Sequence, residues 1–491
     1  MLLNQIIDIP GLSYVCTNGK DINKIEVKDI TRDTRDVKEG SLFIAVVGER
    51  VDGHDLIEEA IKRGANVIVY CNNIEDFNDS VCYIKVKDTR EAMPLISMSF
   101  CHVNGADLKV IGITGTNGKT TSTFMMKHIL ECTGKKVGLI GTVANYIGDK
   151  KIEAERTTPE SIELFKLIRD MKLAGCEYCV MEVSSHASVL GRTKGLRFVR
   201  GMFTNLTQDH MDFHKTFEQY YKAKFQFIDS ADSCVLNVDD VYGQDMVLDS
   251  SKLTMDKKIV TTYGINSGYF RAKNIKVNAD GSVFDLHIDG IKKGTVTLHI
   301  PGLYNIYNAL GVIATLVGYD YATVEDIVEA FDTMKAVDGR CEKVYHDNLK
   351  STVVVDYAHT PDGMDNILKT MREVVQGRLI SVFGCGGDRD ATKRPIMADI
   401  SCKYSDLTVI TSDNPRTEDP DKIIEDVVAG ATGDYIVMRD RKEAIEYAVG
   451  IAKKEDIVII MGKGHEDYQI IGTTKHHFSD KETVLNYLDK Q

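Results

Sequence analysis

Apolar runs of strand length recur along the chain. Most are closed by a glycine or a polar break, and a stretch whose apolar positions return every three or four residues then follows. In the N-terminal part, NVIVY (66–70) and VCYIKVKD (81–88) read as strands, and Gly40 in KEGSLFIAV marks a turn into another. The stretch from Glu91 reads as a helix. From Leu108 the alternation is regular. LKVIGITG is an apolar strand ending in glycine, and Thr120 to Cys132 reads as a helix. KKVGLIGT, EYCVMEVSS, VRGMFTNL and SCVLNVDD are further strands, with helical stretches between most of them. Short apolar strands alternating with helices predict a parallel sheet covered on both faces. Residues 271–300 break this rhythm, with Asp280-Gly281 and Asp289-Gly290 separating alternating runs in the manner of hairpins. The strand-helix rhythm restarts near Ser351 with TVVVDYAH, RLISVFGCGG, LTVITSD, YIVMRD and DIVIIMGKG.

The pattern predicts an α/β protein of three domains. A small α/β domain spans residues 1–107. A central phosphate-loop domain with a parallel sheet and an antiparallel annex spans 108–337, and a Rossmann-like domain spans 338–491. Three domains also suit a chain of 491 residues. With 43% hydrophobic and 27% charged residues the composition is that of a globular protein. No apolar run is long enough for a membrane span, and MLLNQIIDIPGLSY lacks the basic start and apolar core of a secretory signal. A net charge of -13 argues against nucleic acid as a partner, while local lysines and arginines leave room for an anionic small substrate. Eleven scattered cysteines fit reduced thiols in the cytoplasm, and Cys176-x-x-Cys179 has no second pair at zinc spacing.

The sharpest local signal is IGITGTNGKTT (111–121), which follows a strand and opens a helix. Glycines let the backbone approach phosphate closely, and the helix N-terminus with Gly115, Thr116, Asn117, Gly118 and Thr121 offers amide donors. Lys119 is placed for the outer phosphates of ATP and the Thr120 hydroxyl for Mg²⁺. The spacing departs from the strict pattern, since Ile113 stands at the first glycine position. The loop alone predicts a bound nucleotide triphosphate and does not separate a ligase from a motor or a switch.

TGTNGKTT resembles the variant phosphate loop of the Mur ligases and folylpolyglutamate synthetases. MEVSSH (181–186), NLTQDHMDFH (205–214), YYKAKF (220–225), GLYNIYNALGVIA (302–314), DGRCE (338–342), VDYAHTPDG (355–363), FGCGGDRD (383–390), SDNPRTEDP (412–420) and GKGHEDYQ (462–469) resemble further blocks of the Mur ligase family, in the family's order and across nearly the whole chain. The resemblance implies an ATP-dependent ligase that phosphorylates a carboxylate and lets an amine attack the acyl phosphate. It implies a catalytic set of Lys119, Glu182, His210 and Lys224, with Glu182, His210, Thr120 and a carbamylated Lys224 around Mg²⁺ and with Asp209 and His214 as neighbours. Without the family, Lys224 reads as a solvated helix residue and His210 as a loop histidine, while Glu182, ending the apolar run YCVMEVSS, reads as a carboxylate pointing into the crevice where ligands bind, with a cap or solvated acid as the alternative. Asn305 is implied near the adenine, with helix capping as the alternative for it and for Asn308. Arg340 is implied at the nucleotide from an interdomain hinge and Asp356 at the ribose, while His359 is left between a structural and a nucleotide role.

The N-terminal domain is implied to bind the UDP end of a UDP-muramoyl dipeptide, UDP-MurNAc-L-Ala-D-Glu, through the block containing Thr34. Thr157, Thr158, Ser184 and Arg192 are implied contacts of the dipeptide, and Leu190 stands where some members carry glutamine. SDNPRTEDP follows the strand LTVIT. There Arg416 is suited to a paired contact with a carboxylate, and Asp413 and Asn414 to an ammonium. With Pro415, Arg389, Gly462 and Glu466, this resembles a site for meso-diaminopimelate, whose second zwitterionic end lysine lacks. A turn built on Asn-Pro is the bland reading of the same residues. A monomer acting in the cytoplasm is expected. The rivals are another ligase of the superfamily, against which DNPR and GKGHEDYQ argue, and a non-catalytic phosphate-loop module, which has no need of Glu182, His210 and Lys224 together.

Overall fold

The computed structural model describes residues 1–48, 51–74, 76–253 and 259–491. The chain forms two compact units, Met1–Gly112 with Lys135–Gly201 and Gln226–Asp232, and Ile113–Gly134 with Met202–Phe225 and Ser233–Gln491. The strands Lys109–Thr114 and Phe198–Phe203 each have residues in both units.

In the first unit, five strands line up in the order Tyr14–Cys16, Cys82–Val86, Ala65–Tyr70, Ser41–Ile44, Asp29–Thr31. All neighbours are parallel except the first pair. Because side chains alternate along a strand, Val67 and Val69 pack with Ala92, Met93 and Ile96 of the helix Thr89–Phe100 on one face. Ile68 and Tyr70 pack with Ile57 and Ala60 of the helix Ile57–Lys62 on the other. The same unit holds the buried strand Tyr178–Glu182, parallel to Val137–Ile140, and the antiparallel strands Asn145–Ile147 and Lys150–Ile152.

In the second unit, Ser233–Asn237 pairs in parallel with Ile259–Gly264. Phe270–Asn278, Gly281–Ile288 and Ile291–Leu298 form an antiparallel meander with its turns at the two Asp-Gly pairs. The helix Leu303–Val317 is buried through Asn305, Asn308 and most of its apolar residues. The C-terminal part is a six-stranded sheet ordered Glu342–Val344, Thr352–Asp356, Ile457–Met461, Leu379–Phe383, Leu407–Ile410, Tyr435–Val437. It is parallel except for the first pair. The strands from Thr352 and Leu379 both pair with the strand Ile457–Met461. Asp356 therefore stands at a carboxyl end, and the loops after Phe383, Ile410 and Met461 open beside it, where ligands bind in open α/β sheets. A short hairpin, Tyr468–Ile471 with Thr474–His477, follows.

Candidate active site

Strand Lys109–Thr114 delivers the phosphate loop, and the helix Lys119–Cys132 starts directly behind it. Gly118 caps that helix at φ 86°, and a Cβ there would collide with Asn308 Oδ1, so the backbone demands glycine. The loop is held in shape by the segment after Phe203. Thr204 Oγ1 donates to Asn117 O at 2.6 Å, Asn117 N donates to Asn205 Oδ1 at 2.9 Å, and Thr207 N donates to Thr116 Oγ1 at 3.0 Å. Lys119 Nζ bonds the loop's own carbonyls, those of Gly115 at 2.8 Å and Thr116 at 2.7 Å.

Lys224 lies on the helix Phe217–Ser230. Tyr220, Ala223, Lys224, Phe227 and Ile228 are all buried, at the spacing of one helix face, so this lysine belongs to the apolar stripe. Burial disfavours its ammonium, and the charge of Lys119 adds to that. Both hold the amine well below its usual range against the opposing pull of Asp209. The side chain passes over the Tyr220 ring, with Nζ 4.5 Å from the centroid, and the Tyr220 hydroxyl lies 3.1 Å from Thr116 Oγ1 of the phosphate loop.

His210 has a left-handed backbone at φ 55°, a strained conformation for a non-glycine residue. Its Nε2 is 3.4 Å from Asp209 Oδ2. Although 45% of the His210 side chain is exposed, desolvation by the surrounding protein lowers the imidazole from its ordinary value, with Lys119, Lys224 and His359 adding to the effect and Asp209 opposing it. Burial alone would raise Asp209, but His210, His359 and Lys393 outweigh it and the carboxyl titrates below its ordinary value. His359 is likewise pushed down to about 4 by burial and by Lys393, whose Nζ donates to the His359 carbonyl at 2.9 Å. The His214 ring lies 4.9 Å from that of Tyr220. The structure thus brings Lys119, His210 and Lys224 together and adds Asp209, His359 and Lys393 to them.

Beside this cluster, Arg340 Nη2 donates to Thr120 Oγ1 at 3.1 Å, and its guanidinium lies 4.4 Å above the Tyr357 ring. Asp356 accepts the amides of Cys341 and Ala358, each at 2.7 Å, and burial raises its carboxyl. Asn305 does not cap its helix, since Gly302 is the cap residue; its amide donates to Pro301 O at 2.8 Å, and Asn308 donates to Asn305 Oδ1 at 3.4 Å. Asn117 Nδ2 donates to Asp362 Oδ2 at 2.6 Å, across 245 residues of sequence.

The loop after Leu407–Ile410 carries Asp413, Asn414, Pro415 and Arg416. Asn414 Nδ2 donates to Glu466 Oε2 at 2.9 Å, and Gln469 Nε2 donates to Asp413 O at 2.6 Å. Arg416 is left-handed at φ 52°, its amide bonds Ile470 O at 3.1 Å, and its Nη1 donates to Gly387 O at 2.7 Å. A Cβ on Gly462 would approach Asp413 Oδ2 to 2.8 Å. Arg389 is exposed and stands outside this network among the described residues. Sequence reasoning missed two fully buried residues of this region. Arg441 reaches Asp480 at 2.7 Å and Asp413 at 3.9 Å, and Lys463 reaches Glu466 at 3.1 Å.

In the first unit, Glu182 is fully buried at the end of its strand and is neither a cap nor a solvated acid. Its Oε1 accepts the Thr142 amide at 2.8 Å and its Oε2 the Thr142 hydroxyl at 3.0 Å. Thr142 Oγ1 is 3.0 Å from Thr157 Oγ1. Thr158 Oγ1 bonds Glu182 O at 2.8 Å and lies 3.3 Å from Ser184 Oγ. Arg192 donates to Thr158 O at 3.0 Å and pairs with Glu160 at 2.8 Å. Four expected dipeptide contacts are therefore one network around Glu182, with Thr142 as the unforeseen link from its carboxylate to Thr157; the only advance sign of Thr142 was the Gly-Thr at the end of KKVGLIGT. Ser184 caps the helix Ser185–Val189, whose last residue Leu190 follows. Thr34 is buried elsewhere in this unit, in the turn Thr34–Asp36 capped by Asp33.

A buried phosphate loop, a lysine amine beside it and a parallel-sheet crevice fit a nucleotide-dependent ligase, and the comparisons agree. The Mur ligase family (catalytic domain) matches residues 26–100, the Mur ligase middle domain 113–316, and the Mur ligase glutamate ligase domain 339–464. The chain belongs to the Mur ligase family. UDP-N-acetylmuramoyl-L-alanyl-D-glutamate–2,6-diaminopimelate ligase 1 of Clostridium acetobutylicum is 48% identical over 491 residues, covering 99% of both chains. The ligase named for the same reaction in Clostridium botulinum is 49% identical, again over 99% of both. A solved structure of a UDP-N-acetylmuramoyl-L-alanyl-D-glutamate–2,6-diaminopimelate ligase superposes with a TM-score of 0.69 at 28% identity, covering 100% of this chain and 99% of that one. The MurF ligase from Thermotoga maritima, solved in complex with ADP, shares the fold with a TM-score of 0.66 at 16% identity, over 95% and 98% of the two chains. Among the described residues no helix is long and apolar enough to cross a membrane.

Proposed function

We propose that this chain joins meso-diaminopimelate to the D-glutamate side-chain carboxylate of UDP-N-acetylmuramoyl-L-alanyl-D-glutamate, using ATP, as a cytoplasmic monomer that serves cell-wall peptidoglycan synthesis. A carboxylate oxygen attacks the γ-phosphorus, the bond to ADP breaks, and an acyl phosphate forms. The deprotonated amine then attacks the acyl carbon and phosphate leaves. Both steps bring anions together, so the reacting groups need fixed positive charge. Lys119 and the amides of Gly115 to Thr121 are proposed to hold the outer phosphates, Arg340 and Asp356 the nucleotide's sugar side, and Asn305 the base.

The observation that carries this reading is the burial of Lys224 beside Lys119. A lysine kept neutral by its surroundings is a nucleophile for CO₂. Its nitrogen bonds the carbon, a proton leaves, and an anionic carbamate results. Among the described residues no group of three or more His, Cys, Asp and Glu is placed to hold a metal ion. The unmodified donors therefore fit Mg²⁺ poorly, whereas a carbamate on Lys224 supplies the hard oxygen ligand such an ion prefers. Thr120, His210 and the carbamate are proposed to hold Mg²⁺, and Glu182 is proposed as a metal ligand by its resemblance to the family's acidic residue. Bound there, the ion would offset charge on the outer phosphates.

In the first unit, Thr34 is proposed at the uridine end, and Thr157, Thr158, Ser184 and Arg192 at the dipeptide. Asp413, Asn414, Pro415, Arg416, Gly462, Glu466 and the exposed Arg389 are proposed to recognise the distal end of diaminopimelate. The test is phosphate release from ATP by the whole chain. Release is expected only when UDP-muramoyl dipeptide and meso-diaminopimelate are both present. Release with ATP alone, or equal use of L-lysine, would sink the reading.

A further inference from the structure

Lys463 follows the strand Ile457–Met461 and is fully buried. A buried ammonium is costly unless it is paired and hydrogen-bonded. Its Nζ lies 3.1 Å from Glu466 Oε2 and donates to Asn414 Oδ1 at 3.3 Å. Ile470 N donates to the same Asn414 oxygen at 2.9 Å, so two donors fix which end of the amide faces them. That commits Asn414 Nδ2 to Glu466 Oε2 at 2.9 Å. Glu466 Oε2 thus receives both hydrogen bonds, and among the described residues none goes to Oε1. The backbone forces the placement. Gly464, at φ 53°, sits where a Cβ would come within 2.8 Å of both Gly339 O and Tyr357 Cβ. Gly462 abuts Asp413 on the other side, so the lysine is wedged between the Arg340 segment and the Asn414 loop.

We infer that Lys463 is a positioning residue that sets amino-acid specificity. It holds Asn414 and Glu466 in one arrangement and balances the glutamate's charge. The second carboxylate oxygen is then left to the distal ammonium of the incoming amino acid, while Arg416 takes its distal carboxylate. This rests on the reading of that loop as the diaminopimelate site. Inverting the distal stereocentre exchanges ammonium and carboxylate, so a fixed Glu466 and Arg416 favour the meso over the LL isomer.

The test compares the full chain with K463M and K463R, using meso-diaminopimelate, LL-diaminopimelate and L-lysine and following thermal unfolding alongside. K463M is expected to raise KM for the meso isomer about tenfold or more and to cut the meso-over-LL preference by about as much. The kcat at saturation and the KM for ATP and for the UDP-dipeptide are expected to stay within about twofold, and K463R to recover part of the loss. An unchanged meso KM and preference in folded K463M, or a loss confined to kcat, overturns the inference. If K463M does not fold, K463Q carries the same prediction; failure of both to fold makes Lys463 a folding residue and also overturns it. If the unmutated protein does not use diaminopimelate, the underlying reading falls. If it does, and R416A raises KM while K463M does not, only the inference about Lys463 falls.

Discussion

The second unit contains two charged regions that solve burial in opposite ways. Around the phosphate loop, the buried Lys224, the half-buried His359 and the more exposed His210 stand among other positive groups, and all three are pushed toward their neutral forms. Around Asn414, the buried Lys463 and Arg441 are each paired with a carboxylate at 3.1 Å or less. Repulsion left in place stores reactivity, because a neutral amine and neutral imidazoles bind or react where charged ones do not. Pairing stores shape, because each cation is already held by a carboxylate and a neighbouring carbonyl oxygen. The first region suits chemistry on an anion and the second suits recognition, and this contrast can be broken by experiment.

The largest effect is expected at Lys119. Lys119→Ala removes the cation proposed for the transferred phosphate, and kcat is expected to fall about 10³-fold with KM for diaminopimelate unmoved. Equal effects on both would erase the distinction between the regions. Lys224→Arg comes next, with an expected loss of about 10²–10³-fold, because a guanidinium stays charged and forms no carbamate. In ¹³C-bicarbonate the unmutated chain is expected to show a carbamate resonance that Lys224→Arg lacks. The same resonance in the variant would place the modification elsewhere.

Acid should distinguish the regions through stability. His359 stays neutral in the folded chain down to about 4, whereas an unfolded histidine protonates near 6.5. Between those values the unfolded state binds the extra proton, so stability falls as pH falls. The slope is about 1.4 kcal/mol per pH unit, and the loss saturates at about 3 kcal/mol below the folded-state value. His359→Gln is expected to lessen the fall of urea-melt stability between pH 6.5 and 4 by up to about 1.4 kcal/mol per pH unit, and an unchanged slope would count against a neutral His359 imidazole in the folded chain. Arg416→Ala is expected to cost about 2–3 kcal/mol in kcat/KM for diaminopimelate and little for ATP. Competition between meso-diaminopimelate and lysine reads this directly.

Much of this was legible in the sequence where local physics decides the outcome. The runs TVVVDYAH and DIVIIMGKG became the parallel strands Thr352–Asp356 and Ile457–Met461, and both Asp-Gly pairs became turns of the meander. The phosphate loop was legible because its glycines answer a backbone need. Lys463 and Arg441 were not, since nothing in a local pattern separates a buried cation from a solvated one; their partners lie up to 49 residues away. Lys224 was misleading on composition alone, because a lysine within an apolar helical stripe reads as an exposed neighbour of that stripe. Asn117 and Asp362 meet across 245 residues, which no periodicity encodes.

The smallest expected effect sharpens the contrast most. Gln469 Nε2 donates to Asp413 O at 2.6 Å from the hairpin strand Tyr468–Ile471, whereas Tyr220 links to Thr116 of the phosphate loop at 3.1 Å. Each is one neutral hydrogen bond worth about 1 kcal/mol, or about fivefold in a binding constant. Gln469→Ala is therefore expected to raise KM for diaminopimelate about fivefold and leave ATP alone, and Tyr220→Phe to do the reverse. The two substitutions remove bonds of like strength from one compact unit, so only their placement can separate the outcomes. If both variants weaken both substrates equally, the two regions act as one coupled network, and the division between a reactive centre and a recognition centre does not hold.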